Sequence, residues 1–176
     1  MTKITTDLYS LKAYEKFSGT LKNLISRAQS LTEFTKLAKT DTEVKRLKEK
    51  ARGEFEQIYS LLARHFDLPY LPVYMPLRKK VSVRGKAFAS PSGFPTEVRI
   101  YPIEAPGKPY EEWHPSDLTY SSKVAIFDTF THEVAHILEA KRYGRMGHGQ
   151  SFKKARREIE EVLREWGFGD LIRRVS

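Results

Sequence analysis

All nine prolines of this chain fall between Pro69 and Pro115. Proline donates no backbone hydrogen bond and its ring clashes with the preceding helical turn, so no long helix can run through that segment. The stretches on either side contain no proline and carry helical patterning. Before it, Leu8, Leu11, Phe17, Leu21, Leu24, Ala28, Leu31, Phe34 and Ala38 recur every three or four residues, with Gly19 as a weak point. Thr40-Asp41-Thr42-Glu43 has the form of a capping box that opens a second helix. Val44, Leu47, Ala51, Phe55, Ile58 and Leu62 mark its buried stripe, and it should end near His65. Residues 1–68 therefore read as an antiparallel helical hairpin.

Inside the proline-rich zone, Val73-Tyr74-Met75, Val81-Ser82-Val83 and Glu97-Val98-Arg99-Ile100-Tyr101 predict short strands, with Pro91-Ser92-Gly93 as a turn. Ile103 to Pro115 reads as a long irregular loop of the kind that often carries function. Beyond it, Ser121 or Ser122 can cap a helix that runs to about Tyr143 and stops at Gly144. Val124, Ile126, Phe127, Phe130, Val134, Ile137 and Leu138 occupy more than one face of that helix, which predicts burial. A last helix after Ser151 has the apolar stripe Phe152, Ala155, Ile159, Val162, Leu163 and Trp166, and Gly167 can end it. The class expected is α+β. Residues 69–176 would form a core with a small, mainly antiparallel sheet and two helices, joined to the hairpin.

The helix predicted to be buried contains His132-Glu133-Val134-Ala135-His136, an HExxH sequence. Residues four apart share a helix face, so the two imidazoles can grip one Zn²⁺. Glu133 lies roughly 100° around the axis, where it can reach a water on the metal and serve as general base. The plain alternative is a pair of core histidines with satisfied hydrogen bonds. Two histidines and a glutamate are costly in an apolar helix without a partner, and a divalent metal supplies one.

Catalytic zinc takes three protein ligands plus water. The metzincin pattern requires Gly at position 139 and His at position 142, where this chain has Glu139 and Arg142. Two routes to the third ligand remain. His148, between Gly147 and Gly149, can return to the metal on a flexible turn; alternatively Glu158, Glu160 or Glu161 can serve from the last helix. His148 is favoured, because the glutamates are equally well explained as the polar face of an amphipathic helix.

The run His132-Glu133-Val134-Ala135-His136-Ile137-Leu138, then Tyr143-Gly144-Arg145, then His148-Gly149-Gln150-Ser151-Phe152, resembles the SprT-like (Spartan-type) metalloprotease domain. The resemblance covers about Tyr70 to Trp166 and is specific from His132 to Phe152. It implies a zincin-like core, with Glu97 to Tyr101 in the position of the last strand before the catalytic helix. It also implies His148 as third zinc ligand and a link to proteolysis of proteins crosslinked to DNA. Many relatives carry a Cys-rich zinc ribbon. This chain has no cysteine, so DNA binding is expected from its own surface.

Charge is compatible with that. The formal net charge is +9, from 31 Lys+Arg against 22 Asp+Glu. Two stretches contain no acid: one has Arg78, Lys79, Lys80, Arg84 and Lys86, the other Lys141, Arg142, Arg145, Lys153, Lys154, Arg156 and Arg157. Such stretches suit a polyanion, and a solvated basic surface is the bland alternative. The absence of cysteine excludes disulfides and Cys-ligated zinc. No apolar run reaches the length of a membrane span, and an intracellular location, cytoplasmic or at the nucleoid or nucleus, is compatible.

Other candidates are weaker. Asp128, one turn before His132, can orient that ring's free nitrogen. Tyr101 and His114 can border the cleft and stabilise an oxyanion. Trp113 can stack on a base or simply pack, and His65 suits a helix C-terminus. A strand such as Val98 to Tyr101, if at a sheet edge, can hold an extended substrate. The leading expectation is a zinc endopeptidase assisted by DNA. Its rivals are a zinc peptidase without a nucleic-acid role and a nucleic-acid-binding protein with a structural metal.

Overall fold

The computed structural model describes residues 3–32, 42–75, 85–89, 95–100, 103–104, 112, 119–120 and 122–172. Two helices, α1 (Lys3–Thr32) and α2 (Thr42–Phe66), come first. The short strands β1 (Val73–Tyr74), β2 (Gly85–Ala89), β3 (Pro95–Ile100), β4 (Ile103–Glu104) and β5 (Thr119–Tyr120) follow. Then come α3 (Lys123–Tyr143), α4 (Gln150–Glu165) and a 3-10 turn at Gly169–Leu171. The class is α+β. No helix among the described residues is long and apolar enough to cross a membrane.

Local signals place most helix boundaries. The α2 helix starts at Thr42 and stops after Phe66, where Asp67 takes a left-handed φ of 56° and the Leu68 N–H returns to the Ala63 carbonyl at 2.8 Å. Ser122 caps α3 by accepting from the Ala125 N–H, and Gly144 ends it at φ 68°, a conformation that glycine enters without a Cβ penalty. Gly167, at φ 93°, follows the end of α4. The N-cap of α4 is Gly149 and its side of the helix has no side-chain cap. Gly19 lies inside α1, with open space where a Cβ would stand. Phe34, Ala38, Thr40 and Asp41 lie outside the described residues.

The helical pair and the C-terminal helices share one core. Phe17 of α1 sits edge-on to Phe55 of α2, with ring centroids 4.6 Å apart. It also approaches Phe127 of α3 at 5.7 Å and Phe168 at 6.3 Å. Phe127 stacks on Phe168, and Phe55 meets Phe130 at 4.9 Å. Lys123 donates to the Ser18 hydroxyl at 2.7 Å, a polar tie between α3 and α1. As its apolar residues predict, α3 is buried on most sides: α4, α1, β2, β3 and the 3-10 turn all pack on it.

The three-stranded sheet has the order β1-β3-β2. β1 runs parallel to β3, with Val73 opposite Val98, and β2 runs antiparallel, with Ala87 opposite Val98. Along β3, buried Val98 and Ile100 alternate with half-buried Glu97 and Arg99, the period-two pattern of a one-sided sheet. The far side of β1 is closed by α2: the Val73 N–H donates to Glu56 at 3.1 Å, and Arg52 donates to the Val73 carbonyl at 3.5 Å.

Two expectations for this zone change, and one lies outside the described residues. The strand expected at Val81–Val83 lies outside the described residues; among the described residues the strand antiparallel to β3 is Gly85–Ala89. Of the segment Val98 to Tyr101, the described part, Val98 to Ile100, is not at an edge. β3 is hydrogen-bonded on both sides, which leaves it no free row of backbone groups for a substrate. The region expected as one irregular loop from Ile103 to Pro115 begins with a strand: Ile103 and Glu104 pair with Tyr120 and Thr119. Residues 105–111 and 113–118 are outside the description.

Candidate metal centre

Helix α3 presents His132 and His136 on one face, and the turn after Gly144 brings His148 back to them. The Nε2 atom of His132 lies 3.2 Å from that of His136 and 3.1 Å from that of His148. A tetrahedral ion with metal–nitrogen bonds of about 2.0–2.1 Å spaces its nitrogens about 3.3–3.4 Å apart. Two of the three nitrogen pairs lie near this spacing and all three ligand atoms lie within 4.8 Å of one another, so the group can hold a metal ion. The three side chains are graded in exposure: His136 is buried, His132 half-buried and His148 exposed.

Burial acts on their chemistry. Desolvation first, then the neighbouring His136 and the Arg156 and His148 charges, pushes the His132 pKa down to about 4. Desolvation, with His148 beside it, also lowers His136. Both rings are therefore neutral near pH 7, with a nitrogen lone pair available to a cation. The apolar wall is Phe152, four residues after His148. Its ring lies 4.8, 4.6 and 5.1 Å from those of His132, His136 and His148. That contact places an aromatic residue of the first turn of α4 against all three imidazoles.

Glu133 is buried on α3 beside His132. Asp128 accepts a hydrogen bond from Arg156, not from His132. The group within reach of His132 Nδ1 is Arg156, whose Nη1 lies 3.4 Å away. Arg156 also donates through Nε to Glu160 at 3.1 Å. The direct Asp128–His132 contact anticipated from spacing is thus replaced by a guanidinium between them.

The carboxylates considered as alternative ligands are elsewhere. Glu158 pairs with Arg142 and Glu160 with Arg156, Glu161 is exposed, and the convergent group contains the three histidines. Glu139 was not anticipated as a site residue. It is fully buried and accepts from the Gly147 N–H at 2.9 Å and from the Ser151 hydroxyl. Desolvation works to raise its pKa, but those two hydrogen bonds and nearby His136 and Arg145 leave it below the ordinary value. The signal available in the sequence was an acid one turn past His136 among the apolar residues Val134, Ala135, Ile137, Leu138 and Ala140.

The basic candidates divide into two sets. Lys141 pairs with Asp67 at 3.5 Å. Arg142 pairs with Glu158 and lies 5.8 Å over the Phe66 ring. Arg156 belongs to the Asp128–Glu160 network, so its charge is directed inward and not toward an external phosphate. Arg145, Lys153, Lys154 and Arg157 are exposed on the α3–α4 loop and the first turns of α4. Lys79, Lys80 and Arg84, like Arg78, Tyr101, Trp113 and His114, lie outside the described residues. Lys86 is a β2 residue in register with Arg99. His65 packs against Phe66 and Trp166, away from the site.

No family model matches this chain. No curated protein matches it. No solved structure matches it either.

Proposed function

We propose that this chain is a zinc-dependent endopeptidase of SprT-like type, with a zincin-like core, acting on proteins bound or crosslinked to DNA. The observation that carries the reading is the convergence of three Nε2 atoms beside Glu133, on a cluster whose third member is exposed. Structural zinc sites are closed, whereas catalytic ones keep a position open to solvent. An exposed His148 supports the open kind.

His132, His136 and His148 would hold the ion. Zinc, when bound, polarises the scissile carbonyl and makes a nucleophile of water near neutral pH. Glu133 takes the proton of the attacking water and returns it to the leaving amine, as a general base and then a general acid. Phe152 excludes water from the inner side of the imidazoles. Among the described residues β2 pairs only with β3, so its other edge is the side of the sheet on which an extended substrate can add.

DNA would enter through Arg145, Lys153, Lys154 and Arg157, which are exposed and lie within nine positions of His148 in the chain. Bound DNA there places an attached protein next to the zinc. The ion pairs of Lys141 with Asp67, Arg142 with Glu158 and Arg156 with Asp128 favour a second reading, a zinc peptidase without a nucleic-acid role. The deciding experiment is cleavage of unfolded and DNA-bound proteins by zinc-loaded wild type and Glu133→Gln, with and without DNA. Wild type should cleave, DNA should stimulate it, and Glu133→Gln should lose about 10²–10⁴-fold. Cleavage indifferent to DNA selects the second reading. Equal rates for the two proteins remove Glu133 from the chemistry.

A further inference from the structure

We infer that Glu139 is the positioning residue of this centre, a buried carboxylate that orients His136 and clamps the loop carrying His148. The inference rests on the three-histidine metal reading but not on proteolysis.

Glu139 follows His136 by one helical turn, which puts both on the side of α3 that faces the α3–α4 loop. Its side chain has no solvent exposure. A buried carboxylate persists only when its lone pairs are used. Here they are used on both sides of one ligand. Oε1 accepts from the N–H of Gly147, the residue before His148, at 2.9 Å. Oε2 accepts from the hydroxyl of Ser151, three residues after it. Ser151 is near the start of α4, but its hydroxyl is committed to Glu139, and the helix has no side-chain cap of its own.

The same carboxylate faces His136. Oε1 lies 3.8 Å from His136 Nδ1, and that nitrogen is buried without a hydrogen-bond partner among the described residues. An imidazole that offers Nε2 to a metal carries its proton on Nδ1, and an acceptor at Nδ1 sets both tautomer and ring angle. Glu139, with Oε1 at 3.8 Å, is the carboxylate placed to be that acceptor. One group thus couples a ligand on a rigid helix to a ligand on a loop. Arg156 performs no equivalent service for His132, since a guanidinium can only donate.

The test uses the full chain as wild type, Glu139→Gln and Glu139→Asp. Zn²⁺ affinity is measured by competition with a chromophoric chelator, and Co²⁺ is used to read coordination geometry from its visible absorption. Thermal unfolding of each metal-free protein is followed separately. Glutamine keeps an oxygen for the Gly147 N–H but loses the charge and one acceptor. The expected result is a loss of about 10–100-fold in Zn²⁺ affinity with an altered Co²⁺ spectrum, while the metal-free protein melts as wild type does. Aspartate, which keeps the charge, should recover part of that affinity. Wild-type Zn²⁺ and Co²⁺ binding by Glu139→Gln overturns the inference. So does a loss of affinity in both variants that tracks a loss of metal-free stability, since that marks a packing role. Wild type that binds zinc but cleaves nothing sinks the protease reading and leaves this one standing. Wild type that binds neither ion sinks both.

Discussion

His132 and His148 bring their Nε2 atoms to 3.1 Å although sixteen positions separate them in the chain. Two ligands on a helix are an ordinary i,i+4 pair, but the third comes from a turn with no regular structure. The metal should therefore depend on His148 as strongly as on the helical pair. His148→Ala should lose most of its zinc at neutral pH, read as metal content after dialysis against a weak chelator. A variant that retains a full equivalent removes His148 from the ligand set.

The split among basic residues gives a second expectation. Lys153, Lys154 and Arg157 are exposed, whereas Arg156 is held by Asp128 and Glu160. Each phosphate contact contributes roughly −0.7 to −0.9 to the log–log salt dependence of DNA affinity. Replacing the three exposed residues with Ser should make that slope shallower by about 2–3 with zinc still bound. Arg156→Ala should leave the slope alone and weaken the α3–α4 contact, seen as lower stability. Salt-titrated fluorescence anisotropy measures the first and urea unfolding the second. A DNA affinity indifferent to salt contradicts the interface.

Glu54 of α2 is buried against α1. Thr20 donates to its Oε2 at 3.2 Å, and Oε1 is buried without a partner among the described residues. Burial, more than the Thr20 hydrogen bond and the nearby Lys16 and Lys50 can offset, raises its pKa above the ordinary 4.5. A carboxyl raised in the folded state favours the neutral form. Its contribution is fully present below the unfolded pKa and is lost as pH rises through the folded one. Glu54→Gln should thus be more stable than wild type at pH 7 by about 1 kcal/mol, with the difference shrinking toward pH 4. Urea unfolding at both pH values tests it. A variant destabilised more at pH 7 than at pH 4 would show the ionised carboxylate to be favourable.

Phe17 links the N-terminal helices to α3, being fully buried against Phe55, Phe127 and Phe168. Phe17→Ala should cost about 3–5 kcal/mol. Because the core is shared, far-ultraviolet signal and metal release should follow one lowered transition. Two separate transitions, with the metal centre untouched, would make α1 and α2 an independent unit.

Much of this molecule follows from rules that act within a few residues. The proline-free runs, the stripe on α2, and the punctuation at Ser122, Gly144 and Gly167 are short-range, so helix boundaries are readable without a fold. The histidine pair on α3 is likewise a matter of helical pitch, and the glycines around His148 mark where the chain can turn back. Strand pairing obeys no such rule. Val98 to Tyr101 reads equally well at an edge or in the middle, and only closure of the sheet decided that β3 is flanked by β1 and β2. The same holds for the polar partners. Glu139 reaches eight positions ahead to Gly147, and Arg156 reaches twenty-eight back to Asp128. A buried charge takes whatever partner the packed helices bring near it, and that choice exists only once α3 and α4 have met.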